Sequence, residues 1–92
     1  MANTQQPEAP KIEFPLDYPI KVIGDNHEAF AARVIAVVKL HDPKFTGENL
    51  VPIPSKKGTF VSLRFSIWAT GEDQLKAMHQ ALLKVDGVKM VL

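Results

Sequence analysis

Apolar residues occupy every second position from Val61 to Ala69, and Thr59 to Ala69 is the longest strand signal in the chain. Successive side chains of a strand point to opposite faces, so this pattern predicts one face on a core and one free face. The predicted core side carries Val61, Leu63, Phe65, Ile67 and Ala69, and the other side carries Phe60, Ser62, Arg64, Ser66 and Trp68.

Three shorter segments also have the composition of strands. Asp17 to Gly24 is rich in β-prone residues between Pro and Gly, and Val88 to Leu92 follows a Gly. The third segment, Leu50 to Pro54, contains two prolines, which lack the N–H that a sheet ladder needs. We therefore expect Leu50 to Pro54 to be an edge strand.

Two further segments have apolar residues at helical spacing. The first runs from Phe30 to about Leu40, and the second has the apolar stripe Leu75, Met78, Leu82 and Val85. Residues that resemble a capping box precede each helix. They are Asp25 with Glu28, where Asn26 is a second candidate cap, and Thr70 with Asp73.

The order of elements is strand, helix, strand, strand, helix, strand. An antiparallel four-stranded sheet with both helices on one face gives the two apolar stripes a surface to bury against. With right-handed crossovers this is the ferredoxin-like α+β fold, βαββαβ, with spatial strand order 4-1-3-2. The predicted core consists of Ile20, Val22, Phe30, Val34, Val38, Leu63, Phe65, Ile67, Leu75, Met78, Leu82, Val88 and Met90.

Composition limits the class of protein. The chain has 92 residues, 46% hydrophobic and 23% charged, which fits one globular domain. Residues 1–13 are mostly polar with two prolines and are predicted to form a flexible tail, with the domain in residues 14–92. No apolar run approaches the roughly 20 residues of a membrane span, and we see no signal peptide, so a cytoplasmic protein is expected.

Five short motifs occur in order along the chain: Phe14-Pro15, Lys21-Val22-Ile23-Gly24, His41-x-Pro43, Pro54-Ser55-x-Lys57-Gly58 followed by Ser62, and Val88 to Leu92. Together they resemble the YbeD-like family of small bacterial proteins of unknown function. The resemblance covers about residues 14–92. It implies a ferredoxin-like fold similar to the ACT domains that bind amino acids, and a location in the bacterial cytosol. It does not imply an activity, because the family has no established catalytic residues.

The helix-free face of the sheet is the candidate binding surface. By alternation it displays Lys21, Ile23, Phe60, Ser62, Arg64, Ser66, Trp68, Lys89 and Val91, a set with three cations, two aromatic residues and no carboxylate. We expect an unidentified protein partner, or self-association, on this face with Trp68 as anchor, which makes the protein a non-enzymatic regulatory or interaction module. The alternative is an ACT-like sensor of a small anionic metabolite, bound on this face or at the turn that contains Lys56 and Lys57.

Other classes of function have less support in the sequence. RNA-binding domains of this topology place aromatic residues at the third and fifth positions of a motif that begins Lys/Arg-Gly, and after Lys57-Gly58 these positions hold Thr59 and Val61. The net charge of +1 also disfavours nucleic acid. No nucleophile, base and orienting residue occur together, His41 is expected to cap helix carbonyls, and neither a metal site nor a cofactor is predicted.

Overall fold

A computed structural model of the protein describes residues 13–92. The prediction of a flexible tail over residues 1–13 therefore lies, except for the exposed Glu13, outside the described residues. The elements in chain order are β1 (Leu16–Asp25), α1 (Phe30–His41), β2 (Val51–Pro54), β3 (Phe60–Ala69), α2 (Glu72–Leu83) and β4 (Val88–Val91). Neither of these two 12-residue helices is long and apolar enough to cross a membrane.

The four strands form one antiparallel sheet in the order β2-β3-β1-β4. Read from the other side this is the predicted order 4-1-3-2, and the ferredoxin-like fold is confirmed. The two long strands, β1 and β3, pair over ten residues from Leu16 opposite Ala69 to Asp25 opposite Phe60. The strand with the two prolines, β2, lies at an edge as its composition predicts.

A single hydrophobic core lies between the sheet and the two helices. It contains the alternate residues of β3 from Val61 to Ala69, together with Phe30 of α1 and Met78 of α2. The alternate residues on the opposite face, from Phe60 to Trp68, are exposed or half-buried, so this face is open to solvent. Burial of this alternating set agrees with the prediction from Thr59 to Ala69.

The observed core differs from the predicted one at two notable positions. Phe45 lies in the segment between α1 and β2, yet it is buried, and its ring centroid lies 5.4 Å from that of Phe65. Met90, predicted to be in the core, is 48% exposed, whereas Val91 packs against the core. The cause is an irregularity in the β1–β4 pairing between Ile23 and Gly24, which puts Met90 opposite Ile23 and Val91 opposite Val22.

The predicted helix caps are also wrong. The residue before α1 is Ala29, which makes no side-chain capping bond, and the backbone N–H of Ala29 donates to His27 Nδ1 at 3.1 Å. At α2 the partner of Thr70 is Gln74, whose Oε1 accepts from the Thr70 N–H at 2.6 Å. Each capping pattern therefore marks the neighbourhood of a helix start without forming the predicted bonds.

Candidate functional site

Two rows of residues cross the middle of the open face, each with one residue on or beside every strand. Strand pairing sets the rows, since residues directly opposite each other share a face. The first row is Val51, Arg64, Lys21 and Leu92, and the second row is Ile53, Ser62, Ile23 and Met90. These eight residues are called the central patch below.

The open face carries most of the large apolar side chains that are exposed within residues 13–92. Eight such residues are exposed, and six of them, Val51, Ile53, Phe60, Trp68, Met90 and Leu92, lie on the open face by register. The other two, Leu40 and Leu83, lie on the helices. Soluble proteins rarely gather exposed apolar side chains on one face without a binding role, so the clustering favours a contact surface.

At the centre of the patch two cations face each other across neighbouring strands. Lys21 is directly opposite Arg64. Both the N–H and the C=O of Lys21 are hydrogen-bonded to Leu92, at 3.0 and 2.8 Å, so Lys21 and Arg64 form a pair without backbone bonds between them. Side chains in such pairs approach more closely than in hydrogen-bonded pairs. The two cationic side chains therefore start from neighbouring positions on the open face.

The prediction that this face lacks carboxylates is wrong. Asp17 pairs with Trp68 and Asp25 pairs with Phe60, so both acidic residues belong to the open face. Lys89 Nζ lies 3.8 Å from Asp25 Oδ1, which links the predicted site residue Lys89 to one of these acids. Val91, also predicted to be on this face, lies on the core side. The open face thus has acidic ends and a cationic centre.

The two aromatic residues of the predicted binding face lie far apart. Phe60 and Trp68 occupy opposite ends of β3, 40% and 43% exposed. At about 3.3 Å per residue they are roughly 26 Å apart, and each is about 13 Å from Arg64. A single small ligand cannot contact both, so Trp68 lies beside the central patch and not at its centre.

An open groove of about 320 Å³ lies over the first row of the patch. Lys21 and Arg64 line it together with Pro19, Val51, Leu92 and the polar Ser66. The lining thus combines two cations with apolar walls, which is the composition expected of a site for an anion with an apolar part.

β2 is shorter than β3, and beyond its end side chains form the hydrogen bonds to the β3 backbone that a neighbouring strand would otherwise form. The Asn49 amide makes two bonds to the backbone of Ser66, accepting from its N–H at 3.1 Å and donating to its C=O at 3.2 Å. Further along, Asp42 Oδ2 accepts from the N–H of Trp68 at 3.1 Å. These contacts hold the loop after α1 against the sheet at one wall of the groove.

The turn with Lys56 and Lys57 is a tight hairpin connection. The Gly58 N–H donates to Ser55 O at 2.9 Å, and the Phe60 N–H donates to Ser55 Oγ at 3.1 Å. Gly58 has φ +74°, a conformation that favours glycine. Since Ser55 already takes these two N–H groups, they are not available to an anion, and the two lysines are exposed residues of a turn outside the central patch.

His41 contacts a carbonyl of its own helix, as expected from the sequence. Its Nδ1 lies 3.1 Å from Val37 O, one helical turn earlier. The Gln74 side chain donates to His41 O at 2.8 Å and ties α2 to the end of α1. This places His41 in the contacts between the helices and outside the central patch.

Four apolar residues of the patch were missed in the sequence: Val51, Ile53, Met90 and Leu92. For Val51 and Ile53 the signal was present, since they alternate with Pro52 and Pro54 in a predicted edge strand. For Met90 it was absent, because the irregularity in β1–β4 pairing depends on contacts between distant segments.

Comparison with known proteins identifies the family. Residues 9–92 match a family described as protein of unknown function (DUF493). A UPF0250 protein of Pseudomonas paraeruginosa is 45% identical over 93 residues, with 100% of both chains covered. The chain belongs to the UPF0250 family. This confirms the resemblance to YbeD, because the YbeD-like proteins are the UPF0250 family.

Other UPF0250 proteins come from several bacteria. One from Hahella chejuensis is 42% identical over 87 residues, covering 95% of this chain and 96% of the relative. One from Bordetella parapertussis is 40% identical over 86 residues and covers 94% of both chains. The matched regions therefore span almost the whole of this chain.

Solved structures support the fold of this UPF0250 protein. The solution structure of protein HP0495 from H. pylori has a TM-score of 0.72 at 17% identity and covers 98% of both chains. The solution structure of the ACT domain from GTP pyrophosphokinase of Chlorobium tepidum has a TM-score of 0.62 at 22% identity, covering 84% of this chain and 83% of that one. At these identities the likeness concerns the fold alone, which is ferredoxin-like and ACT-like.

Proposed function

We propose that the protein is a non-enzymatic interaction or regulatory module of the cytoplasm, and that it binds a protein partner or a second copy of itself through the open face of the sheet. The central patch is the proposed contact surface. Trp68 and Phe60 extend the surface toward its two ends.

One observation carries the proposal: six of the eight exposed large apolar residues within residues 13–92 lie on this face. Burial of apolar area is the main favourable term in protein association, and cations within an apolar surface add specificity. The helix side has fewer exposed large apolar residues in the part of the chain that the structure describes, namely Leu40 on α1 and Leu83 on α2.

Matched surface variants test the proposal. Ile53→Ser removes an apolar side chain of the patch that is 41% exposed, and Leu83→Ser removes one from α2 that is 49% exposed. We expect Ile53→Ser to abolish association, measured as affinity capture from the source cytosol and as molar mass in solution. The Leu83→Ser variant should behave like the unchanged protein.

Folding is checked on each variant by thermal melting, so that a loss of association is not a loss of structure. If Ile53→Ser and Leu83→Ser both leave partner capture and molar mass unchanged, the open face is not the contact surface. If both variants lose association equally, the effect is not specific to the central patch and the assignment of the contact to the open face fails.

A second function is an ACT-like sensor of a small anionic metabolite. The groove of about 320 Å³ beside Lys21 and Arg64 supports it, and so does the likeness of the fold to ACT domains. A thermal-shift screen against amino acids, nucleotides and carboxylic acids tests it, because a ligand that binds only the folded protein raises the Tm. A library without a single hit would remove this function.

A further inference from the structure

We propose that the groove between Lys21 and Arg64 binds the carboxylate or phosphate group of a small organic anion. This inference rests on the sensor function above and gives that function a defined site. The two cations bind the oxyanion, and the apolar walls of the groove receive the remainder of the molecule.

The first argument is that the pair of Lys21 and Arg64 lowers the stability of the sheet when no ligand is bound. Like charges directly opposite each other on neighbouring strands destabilise a sheet. Lys21 and Arg64 are such a pair, and the backbone bonds of Lys21 to Leu92 make it a pair of the closely spaced kind. A bound oxyanion between the two side chains turns this repulsion into two attractions.

The second argument is that no acidic residue within residues 13–92 compensates the pair. The ion pairs in this part of the chain are Arg33 with Asp86 and Lys89 with Asp25, and neither includes Lys21 or Arg64. Asp17 and Asp25 share the open face, but each is four residues from Lys21 along β1, or about 13 Å. The acidic side chains of this face are therefore too far away to neutralise the centre.

The third argument is the chemistry of the two cations. Arginine presents a planar fork of N–H donors that matches a carboxylate or phosphate in two parallel hydrogen bonds, and lysine adds a mobile point charge. Arg64 and Lys21 lie on the two long central strands, so the sheet fixes the spacing of their backbones before a ligand arrives. Sites on regular elements hold such geometry better than sites on loops.

The groove sets the size and polarity of the ligand. Its volume of about 320 Å³ is near the lower end of the range for small-molecule sites, which is large enough for a small metabolite. Pro19, Val51 and Leu92 provide apolar walls, and Ser66 provides a polar group at one side. The ligand class that fits is a small organic acid or phosphate ester with a short apolar part.

Other cationic positions in the described part of the chain fit an anion less well. Lys56 and Lys57 are exposed on a turn whose Gly58 N–H is already bonded within the turn. The hollow beside Trp68 contains Lys44 and His41 but also the carboxylate of Asp42. The groove combines two cations with apolar walls, and no acidic side chain of the described residues lines it.

Titration with simple oxyanions tests the site. The full chain is titrated with inorganic phosphate in one arm and with citrate in the other, against sodium chloride at matched ionic strength, and binding is followed by backbone amide chemical shifts. We expect shifts centred on Lys21, Arg64 and Ser66 that chloride does not reproduce. The arm with the stronger binding identifies a phosphate or a carboxylate as the natural group.

Charge-removing variants locate the interaction. Arg64→Gln and Lys21→Gln each remove one cation of the groove, and Lys76→Gln removes an exposed cation from α2 as the matched control. Loss of a charge-assisted hydrogen bond weakens binding about tenfold, so each groove variant should bind about tenfold less tightly. The Lys76→Gln variant should bind as tightly as the unchanged protein.

The possible failures are distinguishable. Oxyanion binding that survives both groove variants would place the site elsewhere and would leave the sensor function standing. Absence of binding to phosphate, to citrate and to every compound of the thermal-shift library would overturn both the site and the sensor function. Neither result bears on partner binding, which the Ile53→Ser variant tests with both groove cations intact.

Discussion

The carboxylate of Asp42 and the backbone N–H of Trp68 are joined by a 3.1 Å hydrogen bond, although 26 residues separate them in sequence. Asp42 follows the last residue of α1 and is only 6% exposed. Its other oxygen accepts from the Lys44 N–H at 3.2 Å. One side chain therefore turns the chain after α1 and also closes the edge of β3 where β2 no longer covers it.

Replacement of Asp42 should destabilise the protein. Asp42→Ala leaves the N–H groups of Lys44 and Trp68 without their acceptor, and loss of a partly buried partner of this kind costs about 1 to 3 kcal/mol. Asp42→Asn retains one acceptor oxygen and should cost less. Urea unfolding of both variants measures the difference, and equal stability of Asp42→Ala and the unchanged protein would show that these bonds contribute nothing.

Hydrogen exchange should detect the side chains that replace a strand along β3. Asn49 holds both backbone groups of Ser66, and Asp42 holds the N–H of Trp68. We expect Asn49→Ala to speed exchange of the Ser66 amide while the Trp68 amide keeps its rate, and Asp42→Ala to do the reverse. Each variant is thus the control for the other. Equal acceleration of both amides in each variant would indicate opening of the whole edge and not separate bonds.

Much of the fold could be predicted because its signals are local. Alternation from Thr59 to Ala69 assigns both faces of β3 without knowledge of its neighbours, and the prolines at 52 and 54 exclude β2 from the centre of the sheet. The order of elements then leaves few topologies, of which the ferredoxin-like one was chosen correctly.

The remaining features depend on contacts between distant segments. Phe45 is a single apolar residue in a polar stretch, and burial against Phe65 has no periodic signal. The carboxylate of Asp17 was overlooked on the open face, although alternation with Lys21 places it there. The central patch emerges only when four strands are in register, since Val51 and Leu92 lie far apart in sequence and meet in one row.

Gly24 should not tolerate even a methyl group. A Cβ at this position would overlap the ring of Phe30 and would lie 2.6 Å from the carbonyl oxygen of Gly87. Overpacking of a core typically costs about 1 to 3 kcal/mol, so Gly24→Ala should lower the free energy of unfolding by that amount. Gly71→Ala is the control, because a Cβ there meets nothing within 4 Å. If the two variants are equally stable, α1 does not pack on β1 as closely as described.

Removal of one central cation should stabilise the protein in the absence of ligand. Relief of a like-charge pair on neighbouring strands is worth about 0.2 to 1 kcal/mol. Arg64→Gln should therefore raise the free energy of unfolding at low salt, and the gain should shrink as salt screens the charges. Lys76→Gln, on α2, is the control. A loss of stability in Arg64→Gln at low salt would mean that Arg64 stabilises the fold by more than the repulsion costs. The source would be packing of its aliphatic stem or an unrecognised partner of its guanidinium.

Serine variants at two adjacent positions of β4 test which residue faces the core. Met90 is 48% exposed on the open face, and Val91 packs against the core next to Val22. Val91→Ser replaces apolar core contacts with a hydroxyl and should lower the free energy of unfolding by about 1 to 2 kcal/mol. Met90→Ser should change it by less than about 0.5 kcal/mol. Urea unfolding of both variants measures these changes. If β4 paired regularly with β1, Met90→Ser would be the more destabilising of the two variants. Met90→Ser should nevertheless weaken association through the central patch, because the methionine belongs to the proposed contact surface and not to the core.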